Sequence, residues 1–172
     1  LAITLPRAGN LGGGGFMLIY MKDQKEIFYI DYRSNSPLNS NIKDLFNTKL
    51  PRDYKKTDFN KSKYGYKASA VPGTVAGLLE AHTNFGKLPL DEVMAPVIRQ
   101  AEEGILVSYD LSKAIESTPQ LLNDSESKRI YFKDERPLKE NTLMKRPDLA
   151  KTLKLISKNG KSGFYEGEIA NK

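Results

Sequence analysis

Four features of this chain have residue types and spacing that could carry chemistry. They are the glycine run Gly12–Gly15, the string Gly160-Lys161-Ser162, the single histidine His82, and Arg33 close to Ser34 and Ser36. A glycine run serves a dinucleotide when it leads from a strand into a helix, whose N-terminus then receives the pyrophosphate. Here the run leads into Phe16-Met17-Leu18-Ile19-Tyr20-Met21, a β-type apolar string, so that use is excluded. A phosphate-binding P-loop would need another glycine five positions before Gly160, and that position is Leu155. Two readings of Gly12–Gly15 remain: close backbone packing beside a core strand, or one wall of a ligand pocket. His82 lies on an apolar helical face with no partner recognisable in the sequence, which suits a packed histidine better than a general base. With no cysteine and no metal-type spacing of Asp and Glu, neither a metal site nor a cofactor is expected. Nothing marks Ser34 or Ser36 as a nucleophile. Arg33, at the end of a strand, fits either a surface ion pair or a grip on an anionic ligand, and spacing alone does not decide.

The elements that must position these residues are legible in the pattern. Phe16–Met21 and Ile27–Tyr32 read as two strands joined by the polar turn Lys22–Glu26, the first buried on both faces. Leu1–Leu5 reads as a further short strand. Downstream the period becomes helical. Pro72 opens a helix with Val75, Leu78, Leu79 and His82 on one face and Gly86 as a left-handed stop. A second helix spans about Asp91–Glu103, with Val93, Val97, Ile98 and Ala101 inward and Gly104 as its stop. Ser108 caps a third, striped by Leu111, Ala114 and Ile115. A fourth opens at Pro147-Asp148, is lined by Leu149, Leu153 and Ile156, and ends at Asn159-Gly160. Strands followed by helices predict an α+β arrangement with helices covering a sheet.

The 172 residues have room for one ordinary domain, and a hydrophobic content of 39% fits a globular rather than a disordered chain. No apolar stretch is long enough for a membrane span. The net charge of +6 raises the question of a polyanion partner. Yet the densest basic stretch, Arg52–Lys63, contains Asp53 and Asp58 and accompanies no nucleic-acid motif, so it reads as a solvated loop. At the two ends, Leu1–Leu5 reads as a strand already under way and Gly167–Lys172 as the opening of a helix. The expectation is an internal segment, 1–172, of a longer protein.

Several ordered strings resemble the large subunit of the γ-glutamyltranspeptidase family. Ala8-Gly9-Asn10-Leu11-Gly12-Gly13-Gly14-Gly15-Phe16-Met17 is similar to its glycine-rich segment, and Asp31-Tyr32-Arg33 to its Asp-Phe/Tyr-Arg element. Val71-Pro72-Gly73-Thr74-Val75-Ala76-Gly77 resembles its Pro-Gly-Thr-Val-Ala-Gly helix start. Gly86-Lys87-Leu88-Pro89-Leu90, Ala101-Glu102-Glu103-Gly104 and Gly163-Phe164-Tyr165-Glu166-Gly167 follow in the family's order. The resemblance implies an N-terminal-nucleophile hydrolase fold, an αββα sandwich of two sheets between helical layers. It implies a self-cleaving precursor whose small subunit begins with a threonine, both nucleophile and, through its α-amine, base. That enzyme cleaves γ-glutamyl amides such as glutathione and passes the acyl group to water or to amino acids and peptides. The catalytic residues would lie on the small subunit, with none in this chain. Arg33, matching the family's arginine, would hold the glutamyl α-carboxylate through two parallel charge-assisted hydrogen bonds. A periplasmic or secreted location is implied as well. Poly-γ-glutamate-processing enzymes, cephalosporin acylases and catalytically dead paralogues are the alternatives of the same fold. One departure is Ser34, where the family often has an acid. If that acid orients the arginine, Arg33 needs another partner, with Asp31 and groups on the small subunit as candidates.

Overall fold

The computed structural model describes residues 1–40, 65 and 68–171, so the basic stretch Arg52–Lys63 lies outside the described residues. The chain divides into two compact units, one of residues 11–77 and the other of 1–10 with 78–172.

The first unit is built on an antiparallel hairpin. Strand β1 (Gly15–Met21) pairs with β2 (Glu26–Tyr32) in a register running from Gly15↔Tyr32 to Met21↔Glu26. The turn between them closes with Lys25 in the left-handed region at φ 54°. Because side chains alternate along a strand, Met17, Ile19, Phe28, Ile30 and Tyr32 fall on one, partly buried face. Phe16, Leu18, Tyr20, Ile27 and Tyr29 fall on the other and stay exposed. The sequence predicts burial of this strand on both faces, whereas a single ribbon has only one face covered here. Beyond Val71 the first turn of helix α2 (Thr74–Phe85) begins, with Val75 buried.

In the second unit the expected helices form close to their predicted bounds. Helix α3 (Leu90–Glu103) ends at Gly104, whose φ of 99° gives the left-handed stop that glycine supplies without a steric penalty. Ser108 caps α4 (Tyr109–Glu116), its hydroxyl accepting from the Leu111 N–H at 3.2 Å. Then come a 3₁₀ turn (Pro119–Asn123), α5 (Ser125–Tyr131) and α6 (Pro147–Asn159). Two short helices follow, α7 (Ser162–Tyr165) and α8 (Gly167–Ala170). Four two-residue strands beyond the hairpin have no counterpart in the sequence pattern. Strand β3 (Ile105–Leu106) pairs with β6 (Leu143–Met144), and β4 (Phe132–Lys133) with β5 (Arg136–Pro137). Around them Val107, Leu111, Ile115, Phe132, Leu138 and Met144 form the buried core. Helices α3 and α6 pack through small and aliphatic residues, with Ala101 fully buried and Ala150, Leu153 and Ile156 nearly so.

Four expectations are corrected. Leu1–Leu5 is a turn, not a strand: the Leu5 N–H bonds back to the Leu1 carbonyl at 2.8 Å and Ile3 is buried. Pro6, locked at a helical φ, then opens the short helix α1 (Pro6–Gly9). Leu78 and Val93 are 47% and 49% exposed, because burial falls on Val75 and Leu79 in α2 and on Val97, Ile98 and Ala101 in α3. Gly86 ends α2 without a positive φ. It is glycine because a β-carbon there would strike the His82 carbonyl and come within 2.7 Å of its ring.

The contrast between Leu153 and Val93 is testable in the complete protein. Leu153→Ala should cost about 2–5 kcal/mol, the usual range for truncating a buried leucine, whereas Val93→Ala should stay within about 0.5 kcal/mol. Chemical denaturation midpoints check both, and equal losses would refute the assigned face of α3.

Candidate functional site

Arg33 directly follows β2, and three chain segments fix its backbone. The Gly13 carbonyl accepts two hydrogen bonds, from the Gly73 N–H at 2.8 Å and the Thr74 N–H at 3.0 Å. These are donors at the start of α2, where the first N–H groups of a helix have no partner of their own. Asn35 and Val71 exchange both backbone hydrogen bonds, 3.1 and 2.7 Å. The Asp31 carboxylate accepts from the Arg33 N–H at 2.9 Å, closing the bend at the strand end.

Glycine is required at three of the close approaches between these segments. A β-carbon at Gly14 would lie 2.6 Å from the Tyr32 carbonyl oxygen, 2.9 Å from the Arg33 carbonyl carbon, and against the Ser34 nitrogen. From the other side, one at Gly73 would lie 2.8 Å from the Tyr32 carbonyl carbon and against its oxygen. One turn along α2, Gly77 leaves room for the Tyr32 ring, whose Cδ1 would be 2.6 Å from an added β-carbon. The Tyr32–Arg33 peptide is thus clamped between Gly14 and Gly73, and the Tyr32 ring is seated on Gly77. Of the two readings of the glycine run, close backbone packing describes Gly14 directly.

The side chain of Arg33 is exposed, and its guanidinium carbon sits 5.8 Å from the centroid of the Phe16 ring. Phe16 stacks in turn on Tyr29, with centroids 6.1 Å apart and planes 16° from parallel. The Tyr29 hydroxyl is pushed above its usual range, chiefly by local desolvation and further by the Asp31 carboxylate, so it stays protonated and uncharged at neutral pH. Among the described residues no carboxylate pairs with the Arg33 side chain. Their ion pairs all join residues of the second unit. Asp31 engages the backbone of Arg33 rather than its guanidinium. An exposed, unpaired guanidinium on a fixed backbone can hold a carboxylate in a bidentate grip.

The remaining candidates take structural roles. The His82 Nε2 lies 2.8 Å from the Leu88 carbonyl oxygen and donates to it, which ties the end of α2 to the following loop. Lys161 is paired with Glu80 at 2.8 Å, and the Ser162 hydroxyl donates to the Asn159 carbonyl, so neither is arranged for phosphate. The Lys161 hydrogen bond, followed by that of Asn84, holds the Glu80 carboxyl below its usual range. The stabilisation from that pair is therefore present at neutral pH and lost on acidification through the lowered value. Phe16, Gly73 and Gly77 were not among the residues expected at the site. The spacing of the two glycines, four apart on one helical face, was the available signal of close approach.

The sequence model of the family described as Gamma-glutamyltranspeptidase matches residues 1–172. The chain belongs to that family. The glutathione hydrolase proenzyme of Escherichia coli (strain K12) is 38% identical over 172 residues, covering 99% of this chain and 29% of that protein. This member therefore spans under a third of the length of that curated relative. The crystal structure of Helicobacter pylori gamma-glutamyltranspeptidase superposes with a TM-score of 0.88 at 33% identity, over 99% of this chain and 48% of the other. The transpeptidase CapD of Bacillus anthracis gives a TM-score of 0.78 at 31% identity, over 99% and 51%. The γ-glutamyltranspeptidase relationship gives the α+β elements the N-terminal-nucleophile hydrolase fold, of which this chain carries a part. No helix among the described residues is long and apolar enough to cross a membrane.

The glycine clamp predicts a local cost of overpacking. Gly77→Ala should displace the Tyr32 ring and lower the stability of the complete protein by about 1–3 kcal/mol. A thermal unfolding midpoint unchanged from wild type would show that Tyr32 does not rest on Gly77.

Proposed function

We propose that this chain is a segment of the large subunit of a γ-glutamyltranspeptidase and that Arg33 binds the α-carboxylate of its γ-glutamyl donor. The complete enzyme cleaves γ-glutamyl amides, glutathione among them, and transfers the acyl group to water or to an amino acid or peptide. The observation that carries the reading is the exposed guanidinium of Arg33, without a carboxylate partner among the described residues, on a backbone held between Gly14 and Gly73. A fixed anchor matters because the donor must present its γ-carbonyl to a nucleophile at one distance and angle, and gripping the α-carboxylate removes the donor's freedom to slide or rotate.

The nucleophile is the N-terminal threonine of a small subunit released from a common precursor. Its hydroxyl attacks the γ-carbonyl, its α-amine takes the proton, and the amine product leaves as the acyl-enzyme forms. Water or an acceptor amine then releases the γ-glutamyl group. In this division of labour the present chain binds and orients while the partner subunit does the covalent work. The exposed apolar face of the hairpin, Phe16, Leu18, Tyr20, Ile27 and Tyr29, supports a chain that meets further protein there. On the same family reading the complete protein works in the periplasm or outside the cell, which cell fractionation would test.

Two results are expected. This chain alone should not turn over a chromogenic γ-glutamyl anilide, and real turnover by the purified chain would remove it from the role of a large-subunit segment. In the complete enzyme Arg33→Ala should lower kcat/KM on that donor by about 30-fold to several thousand-fold, with Arg33→Lys losing the bidentate fork though keeping the charge. The loss should nearly vanish on the 4-aminobutyryl anilide, which lacks the α-carboxylate, and autoprocessing should survive. An equal fractional loss on both donors would withdraw the carboxylate role.

A further inference from the structure

The guanidinium of Arg33 has two chemically different surfaces. Its edge carries the N–H donors that a carboxylate needs, and its face carries delocalised charge that an aromatic ring attracts. An acidic neighbour would orient the group through its edge, occupying donors and neutralising part of the charge. The residue after Arg33 is Ser34, and the carboxylate of Asp31 is committed to the backbone N–H. What lies against the guanidinium is the Phe16 ring, 5.8 Å from its centroid, itself stacked on Tyr29. The hairpin register fixes this arrangement, since Phe16 faces Asp31 one step after the Gly15↔Tyr32 pair.

We infer that Phe16 is a positioning residue that holds the guanidinium of Arg33 by its face and so leaves its donor edge free for the carboxylate of the substrate. The inference rests on the proposed role of Arg33 and adds to it the means by which an arginine whose side chain meets no carboxylate among the described residues keeps one orientation. The Phe16–Tyr29 stack forms an aromatic base for the charge, and the protonated state of Tyr29 keeps that base neutral. The advantage over an acidic orienter is that the full positive charge remains available to the ligand.

The test uses the complete, matured enzyme with Phe16→Leu, Phe16→Met and Phe16→Tyr, each assayed on the γ-glutamyl anilide and on the 4-aminobutyryl anilide. Loss of a cation–π contact should lower kcat/KM on the γ-glutamyl donor about 3- to 30-fold in the leucine and methionine variants, mainly through a higher KM. Phe16→Tyr keeps the aromatic face and should retain wild-type KM. On the 4-aminobutyryl donor all three should match wild type, and in an Arg33→Ala background Phe16→Leu should have no further effect. Equal losses on the two donors, or losses that multiply with that of Arg33→Ala, would overturn the positioning role while leaving the carboxylate role intact. If instead Arg33→Ala itself penalises both donors equally, it is the underlying reading that falls. Should the leucine and methionine variants fail to mature, Phe16→Trp serves in their place: its more electron-rich face should lower KM for the γ-glutamyl donor only, and a change shared by both donors would overturn the inference.

Discussion

The hydrogen bonds of the Gly13 carbonyl to the N–H groups of Gly73 and Thr74 tie the glycine run to the beginning of helix α2. They bring two backbones into direct contact across the end of the hairpin. Everything distinctive about the site follows from how near those backbones come. With Gly14 on one side and Gly73 on the other, the Tyr32–Arg33 peptide lies in a slot no wider than main chain. The absence of side chains at these positions is a steric condition for the slot to exist, and Gly77 extends the same condition to the ring of Tyr32. An arginine side chain is long and loses much rotamer entropy when it grips a ligand. Fixing its Cα beforehand means that only the side chain remains to be ordered on binding.

The second unit depends on more ordinary forces. Its core is aliphatic with one buried phenylalanine, α3 and α6 end on glycines at positive φ, and its exposed ion pairs contribute little individually. No buried side-chain nitrogen or oxygen is left without a partner among the described residues. This is the pattern of a scaffold.

How much of this could be read from the sequence depends on the range of the interaction. Local signals were faithful: the hairpin, the stops at Gly104 and Gly160, the Ser108 cap and the stripes of α4 and α6 all arise from neighbours within a few positions. The apolar string Leu1–Leu5 misled because apolar character without alternation or a pairing partner does not specify extension, and Pro6 draws the chain into a turn and a helix. Val93 misled because the adjacent Met94 takes the partly buried place one turn before Val97 and Ile98, which turns Val93 outward. At the site, resemblance pointed to Arg33, but nothing local could show that Gly73 and Gly77 press on Tyr32. Those contacts join residues about 40 positions apart, and the pattern of one segment carries no record of the other. Phe16 was read as a core residue for the same reason, since an aromatic after a glycine run looks alike whether it faces a core or a guanidinium.

The Gly13 carbonyl bonds also have a kinetic meaning. The hairpin needs little chain entropy to close, because its pairs are close in sequence and its turn is short. The bonds to Gly73 and Thr74 close a loop of about 60 residues, for which chain entropy alone costs about 3–4 kcal/mol. That closure is offset only when several contacts form together, so these bonds raise the contact order of the fold. The strand that carries Arg33 is thus paired through local contacts, while its anchorage depends on a segment about 40 positions away, and that distant segment fixes where the positive charge stands.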